Sequence, residues 1–86
     1  MTKKQKGTLV GIFADPVRAN IAWHDVESLL IALGAELAEG RGSRLRVALN
    51  GVRAVFHRPH PGNEAGKPTV RSLRAFLSEA GVGPPD

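Results

Sequence analysis

The chain has 86 residues and no cysteine, and its 12 lysines and arginines against 8 acidic residues give a formal net charge of +4. This length limits it to one small domain, and 42% hydrophobic with 23% charged residues is a globular composition. The absence of cysteine excludes disulfides and thiolate chemistry. No apolar run approaches the roughly 20 residues of a membrane span, and Lys3-Lys4-Gln5-Lys6 lacks a signal peptide's apolar region, so we expect a cytoplasmic protein.

The N-terminal part of the chain is predicted to form one short helix ahead of the main elements. Residues 1–7 are polar and are expected to be frayed. Thr8 is the expected cap of the helix, and Pro16 ends it because the residue before a proline avoids the helical region. A single domain is therefore expected over residues 8–82, followed by a tail over residues 83–86.

Two longer helices are predicted from apolar residues at helical spacing. The first ends at Gly34, and its apolar stripe consists of Trp23, Val26, Leu29, Leu30 and Leu33. The second begins near Pro68 and ends at Gly81, and its stripe consists of Val70, Leu73, Phe76, Leu77 and Ala80. Residues 58–67, which contain two prolines and two glycines, are predicted to be a loop.

Between the two helices the sequence predicts three strands, and the last two form a hairpin. Residues 35–39 are the first strand, followed by a turn at Gly40-Arg41-Gly42. The next two strands are joined by Asn50-Gly51, the strongest short-range signal for a two-residue hairpin loop. Such a loop places Arg44 directly opposite His57 at the open end of the hairpin.

This element order predicts an α+β fold with a three-stranded antiparallel sheet. The hairpin has one apolar face, and each long helix has one apolar stripe, so both long helices are expected on the same face of the sheet. The other face carries Arg44, Arg46, Arg53 and His57. That face is left to solvent or to a ligand, and we look for the functional site there.

Histidine is the natural candidate for acid–base chemistry near neutral pH. His57 is a candidate because an arginine across the ladder favours its neutral imidazole, the form that a general base requires. His60 lies in a loop restricted by two prolines and is a second candidate, whereas His24 fits a solvated surface position. His57 and His60 lack a third ligand nearby, so no metal site and no cofactor are expected.

Cationic residues cluster in the hairpin, its flanks and the last helix. Together with Ser43 they form the predicted RNA-binding set of Arg41, Arg44, Arg46, Arg53, Arg58, Lys67, Arg71 and Arg74. The three in the last helix are spaced by four and three residues, so they line one ridge beside the apolar stripe. Such a surface suits a polyanion backbone, although most charge runs are solvated faces.

The chain resembles the HicA toxins, small ribonucleases of bacterial HicA–HicB toxin–antitoxin pairs. The resemblance runs from about Trp23 to Val82, and its most specific parts are Gly42-Ser43 and the closing helix Thr-Val-Arg-Ser-Leu-Arg-Ala-Phe-Leu-Ser-Glu-Ala-Gly-Val. It implies a fold like the double-stranded-RNA-binding domain, a HicB-like antitoxin as partner, and mRNA as substrate. It also implies that the HicA-like domain is the one expected over residues 8–82.

One position departs from the family pattern in a way that bears on catalysis. The family motif is Gly-Ser-His with a catalytic histidine, and this chain has Gly42-Ser43-Arg44. An arginine stays protonated and is a poor general base, so Arg44 is assigned charge stabilisation. His57, directly across the hairpin, is then the first candidate catalyst. His60 matches the histidine of the family's Pro-Arg-His loop only approximately.

Three hypotheses about function follow from the sequence. The first is a HicA-like toxin that binds and cleaves mRNA without a metal ion, held inactive by a HicB-like antitoxin. The second is a non-catalytic RNA-binding module of the same fold. The third is a protein-interaction domain whose basic face docks an acidic antitoxin. Arg44 favours the second and third, the family match favours the first, and a homodimer stays open.

Overall fold

A computed structural model of the chain describes residues 1–85. Three helices and five short or medium strands follow one another along it. Their order is α1 (Lys3–Ile12), β1 (Ile21–Ala22), α2 (Trp23–Ala32), β2 (Glu36–Glu39), β3 (Arg44–Leu49), β4 (Val52–His57), β5 (Glu64–Ala65) and α3 (Lys67–Glu79). The expected tail has no helix or strand over residues 83–85, and its last residue, Asp86, lies outside the described residues.

The main sheet is antiparallel with the order β2-β3-β4, which confirms the predicted topology. The two-residue loop also sets the predicted register, in which Leu49 pairs with Val52 and Arg44 pairs with His57. Asn50 and Gly51 have φ angles of 51° and 81°, the left-handed conformation that a tight hairpin of this type requires. The hairpin prediction is therefore confirmed along its whole length.

The core lies between the inner face of the sheet and the two long helices. Leu45 and Val47 on β3 are 1% and 2% exposed, and the α2 and α3 stripes supply fully buried leucines and valines. Phe56 on β4 meets Phe76 on α3 edge to face, with ring centroids 5.7 Å apart. Both predicted helical stripes are therefore buried on one side of the sheet, and the fold is α+β as expected.

The N-terminus differs from the prediction that residues 1–7 are frayed and that Thr8 is the helix cap. Helix α1 begins at Lys3, and Thr2 is its cap. The Thr2 hydroxyl accepts a hydrogen bond from the Gln5 amide at 3.1 Å, and the Gln5 side chain accepts one from the Thr2 amide at 2.8 Å. This reciprocal capping box stabilises a first turn that is polar and solvent-exposed. Thr8 instead lies buried inside the helix.

The proline-rich segment after β4 also differs from the prediction, because it is not loop throughout. Its end, β5, pairs with β1 in a second two-stranded sheet, with Ile21 opposite Ala65 and Ala22 opposite Glu64. Each of these strands has only two residues, too few for an alternating pattern to be visible in the sequence. The small sheet holds the start of α2 close to the start of α3.

Helix α1 is joined to α3 by one arginine. Arg74 donates hydrogen bonds from Nε to the Ile12 carbonyl at 3.0 Å and from a terminal nitrogen to the Ala14 carbonyl at 2.6 Å. These carbonyls lie at the end of α1, where helical acceptors have no partner within the helix. A guanidinium there also interacts favourably with the helix dipole.

We expect Arg74→Ala to destabilise the protein by about 1 to 3 kcal/mol, because charge-assisted hydrogen bonds to half-buried carbonyls are lost. Arg71→Ala is the matched control, since Arg71 is on the same helix and is exposed. Urea denaturation followed by circular dichroism measures both variants. Equal stability of the two variants would show that Arg74 does not anchor α1.

Candidate nucleic-acid interface

The open end of the hairpin brings together the first candidate catalyst and the arginine at the family's catalytic position. Arg44 and His57 are exposed cross-strand partners, and Arg44 Nε donates a hydrogen bond to His57 Nε2 at 3.3 Å. The next residues along the hairpin, Ser43 and Arg58, are joined by a backbone hydrogen bond from the Arg58 amide to the Ser43 carbonyl. Arg44 and His57 are therefore a non-hydrogen-bonded pair, in which opposed side chains approach most closely. Because a guanidinium Nε–H can only donate, His57 Nε2 is the acceptor in this contact.

The turn before β3 fixes the position of Arg44. The Gly40 amide donates to the Arg44 carbonyl at 2.9 Å, and the Arg44 amide donates to the Arg41 carbonyl at 3.2 Å. A Cβ on Gly40 would lie 3.0 Å from the Arg44 Cβ and 3.3 Å from its carbonyl oxygen. Gly42 has a φ of +61°, which a glycine adopts without strain. The two glycines thus allow the tight turn that exposes Arg41 and Ser43.

The outer face of the sheet is cationic and has an apolar centre. Arg44, Arg46 and Arg53 are all exposed on it, and no ion pair involves them within residues 1–85. Val55 lies directly opposite Arg46 and is 53% exposed. A shallow groove of about 480 Å³ runs across this face between β2 and β4.

Arg58, predicted as part of the RNA-binding set, is half-buried and bound by two carboxylates of the protein itself. Its two terminal nitrogens donate to Glu39 at 2.8 Å each, and its Nε donates to Glu27 at 3.0 Å. Glu27 also accepts from the Trp23 indole. The network joins α2, β2 and the segment after β4, and it neutralises the Arg58 charge. Sequence reasoning missed it because its carboxylates lie 31 and 19 residues from Arg58 along the chain.

The network lowers the pKa of its exposed member, Glu39. The hydrogen bond from the Arg58 guanidinium, assisted by its positive charge, lowers the pKa of the Glu39 carboxyl below 4.5. Conversely, the hydrogen bonds to Glu39 and Glu27 raise the pKa of Arg58 above its ordinary value. A bidentate guanidinium–carboxylate contact is the geometry expected of a strong pair.

The three cations of the predicted basic ridge on α3 do not share one environment. Lys67 and Arg71 are exposed, whereas Arg74 is half-buried and bound to the end of α1. The first turns of α3 also border a small groove beside His57, lined by Thr69 and Ser72 among others. The structure therefore places the start of α3 next to His57.

The two remaining histidines lie away from the Arg44–His57 pair, one in the loop after β4 and one on α2. His60 is exposed in the loop after β4 and has no side-chain hydrogen bond in the described residues. His24 is exposed on α2, 3.1 Å from Asp25. No group of three or more histidine or acidic side chains within residues 1–85 is arranged to hold a metal ion.

The fold and its exposed cationic sheet face define a small α+β domain of the double-stranded-RNA-binding-domain type. The family model described as "HicA toxin of bacterial toxin-antitoxin" matches residues 23–82. The chain therefore belongs to the HicA toxin family, as the resemblance of its motifs indicates. Comparison with curated proteins and with solved structures found no match. In the described part of the chain, no helix is long and apolar enough to cross a membrane.

The lowered pKa of Glu39 predicts a specific pH dependence of stability. Its contribution is present above the unfolded value near 4.5 and is lost as the pH falls through the lower folded value. Glu39→Gln is expected to lower the urea midpoint at neutral pH and to converge with the wild type at an acid pH below the folded-state pKa of Glu39.

Glu79→Gln is the control, because Glu79 is exposed at the end of α3. It should leave the urea midpoint unchanged at both pH values. A Glu39→Gln deficit that stays the same size in acid would mean that the carboxylate charge is not what stabilises the fold.

Proposed function

We propose that this HicA-family toxin acts on RNA through the outer face of its sheet, in the cytoplasm where mRNA is present. The carrying observation is the exposed, hydrogen-bonded Arg44–His57 pair, flanked by the unpaired cations Arg46 and Arg53. Cations that no acidic side chain neutralises are available to RNA phosphates. Arg41 is exposed in the turn before β3, and Lys67 and Arg71 are exposed on α3, whose first turns line the groove beside His57, whereas Arg58 and Arg74 serve the fold.

The geometry supports a metal-independent cleavage step. His57 Nε2 takes the proton from a ribose 2′-hydroxyl once RNA displaces it from Arg44. The 2′ oxygen then bonds to the adjacent phosphorus, and the bond from phosphorus to the 5′ oxygen breaks. A 2′,3′-cyclic phosphate forms, and the leaving 5′ oxygen takes a proton from the imidazolium or from water. Arg44 stabilises the negative charge that develops on the phosphate oxygens.

A second candidate function is RNA binding without cleavage. The family's motif histidine is replaced by Arg44, and Arg44 occupies the nitrogen of His57 that a general base would use. Every base-catalysed turnover must first break that hydrogen bond. This observation favours a weak or absent nuclease that still grips RNA phosphates and 2′-hydroxyls.

The family also implies a cognate antitoxin. We propose that a HicB-like antitoxin docks acidic side chains on the same cationic face and so competes with RNA. Support comes from the exposed and unpaired guanidinium groups of Arg46 and Arg53. The third hypothesis is a protein-interaction domain without any RNA affinity. Measurements of RNA binding separate it from the first two hypotheses.

The cleavage proposal predicts that His57→Ala abolishes RNA degradation in EDTA, because the proton acceptor is removed. His24→Ala is the matched control, an exposed histidine on α2 that should retain wild-type activity. Arg44→His should raise activity, because it restores the family motif and frees His57 Nε2. Growth arrest on induced expression without antitoxin gives a second readout.

Two results separate the hypotheses. Wild-type cleavage by His57→Ala would remove His57 from the mechanism and leave His60 as the next candidate. No cleavage by the wild type, together with retained RNA binding, would identify the chain as a toxin relative without its catalyst.

RNA binding is expected to weaken steeply as salt rises, because phosphate contacts release counterions. In the double variant Lys67→Ala, Arg71→Ala, the fall of log K with log salt should become shallower. The slope should decrease in magnitude by about 1.4, roughly 0.7 for each lost contact to a single strand. Arg18→Ala is the control, an exposed arginine beside α1. Salt-independent binding, or none, would contradict the basic-face proposal and favour partner docking.

A further inference from the structure

The outer sheet face holds a shallow groove beside the Arg44–His57 pair. This groove, of about 480 Å³, falls within the size range of small-ligand sites. Its floor is apolar and consists of Ala38, Ala48 and Val55. The guanidinium groups of Arg46 and Arg53 also line it.

The strand register fixes how these groups are arranged. Val55 faces Arg46 across the ladder, and Arg53 faces Ala48. Arg53 and His57 lie two residues before and after Val55 on β4, so all three share the outer face, and each lies about 6.7 Å along the strand from the next. Val55, in the apolar floor, is therefore the outer-face neighbour of His57, the proposed catalytic residue.

The site defines the chemistry of its ligand. An exposed apolar floor favours a flat ligand with apolar faces, and guanidinium planes stack on π systems. A neighbouring cation–imidazole pair requires that the ligand be joined to an anion. A nucleotide of single-stranded RNA has all these features, whereas the bases of a duplex are stacked and paired and present no free face.

We propose that the groove floored by Val55 and lined by Arg46 and Arg53 is a nucleobase subsite for the nucleotide next to the phosphate held by Arg44 and His57. This inference rests on the proposed RNA-directed function and adds to it a single-stranded substrate with base contacts. Arg46 and Arg53 then contribute stacking in addition to charge.

One acidic side chain in the groove adds a base preference. Glu36 also lines it, on β2 directly opposite Ala48. A carboxylate accepts hydrogen bonds from an exocyclic amino group, as in contacts to cytosine N4. Uracil has no amino group, so the site should prefer cytosine over uracil. Because both bases are single rings of the same size, the amino group accounts for the difference.

The test compares variants at two valines of equal exposure. Val55→Tyr adds an aromatic platform to the groove and should raise affinity for a single-stranded RNA oligonucleotide roughly fivefold or more. Val10→Tyr is the matched control, because Val10 on α1 is 50% exposed against 53% for Val55. Tyrosine suits a strand position, so the variant keeps the sheet intact.

Probes of equal charge then separate the subsite from the phosphate contacts in the wild-type protein. An oligocytidine should bind about tenfold more tightly than an abasic phosphoribose strand of the same length. It should also bind more tightly than oligouridine, and Glu36→Gln should reduce that difference. Fluorescence anisotropy at fixed salt measures every pair.

The outcomes distinguish this inference from the function on which it rests. If no strand binds, the proposed RNA-directed function fails. If the abasic strand binds as tightly as oligocytidine and Val55→Tyr has no effect, the nucleobase subsite is overturned while the RNA-directed function stands. If Val10→Tyr raises affinity as much as Val55→Tyr, the gain is nonspecific and the subsite is likewise overturned.

Discussion

The two-residue turn at Asn50-Gly51 is the constraint on which the site depends. A shift of one residue in the hairpin register, with β3 still paired to β2, would move the side chains of β4 to the opposite face of the sheet. It would separate Arg44 from His57 and turn Arg53 toward the core. Asn50 also donates from its side-chain amide to the Ala80 carbonyl at 2.9 Å, which ties the turn to the end of α3. Backbone conformation and tertiary contact therefore select the same register.

The arginines of this small basic protein have two distinct tasks. Arg58 and Arg74 each join segments distant in sequence, one through carboxylates and the other through backbone carbonyls. With a core this small, such polar cross-links contribute an appreciable share of a marginal stability. The arginines of the outer sheet face stabilise no described contact of this kind and are available to a ligand. The same residue type thus serves stability on one side of the sheet and is left without such contacts on the other.

Helix α1 precedes the family match at residues 23–82 and is nonetheless part of the packed structure. Leu9 and Ile12 are 3% and 0% exposed, and the helix packs mainly on α2. Because it lies on the helical side, it leaves the outer face of the sheet open. The addition extends the core without covering the proposed interface.

The sequence by itself determined the elements whose signals are local. The Asn50-Gly51 turn set the hairpin register and the Arg44–His57 pair, and the helical stripes set the buried faces of α2 and α3. The capping box at Thr2 was equally local and readable, since a threonine followed three residues later by Gln5 is a known N-terminal signal. Only the tertiary structure decided which cations are free. Whether Arg58 meets Glu27 and Glu39 depends on chain segments 19 and 31 residues apart, and no local pattern encodes such a meeting.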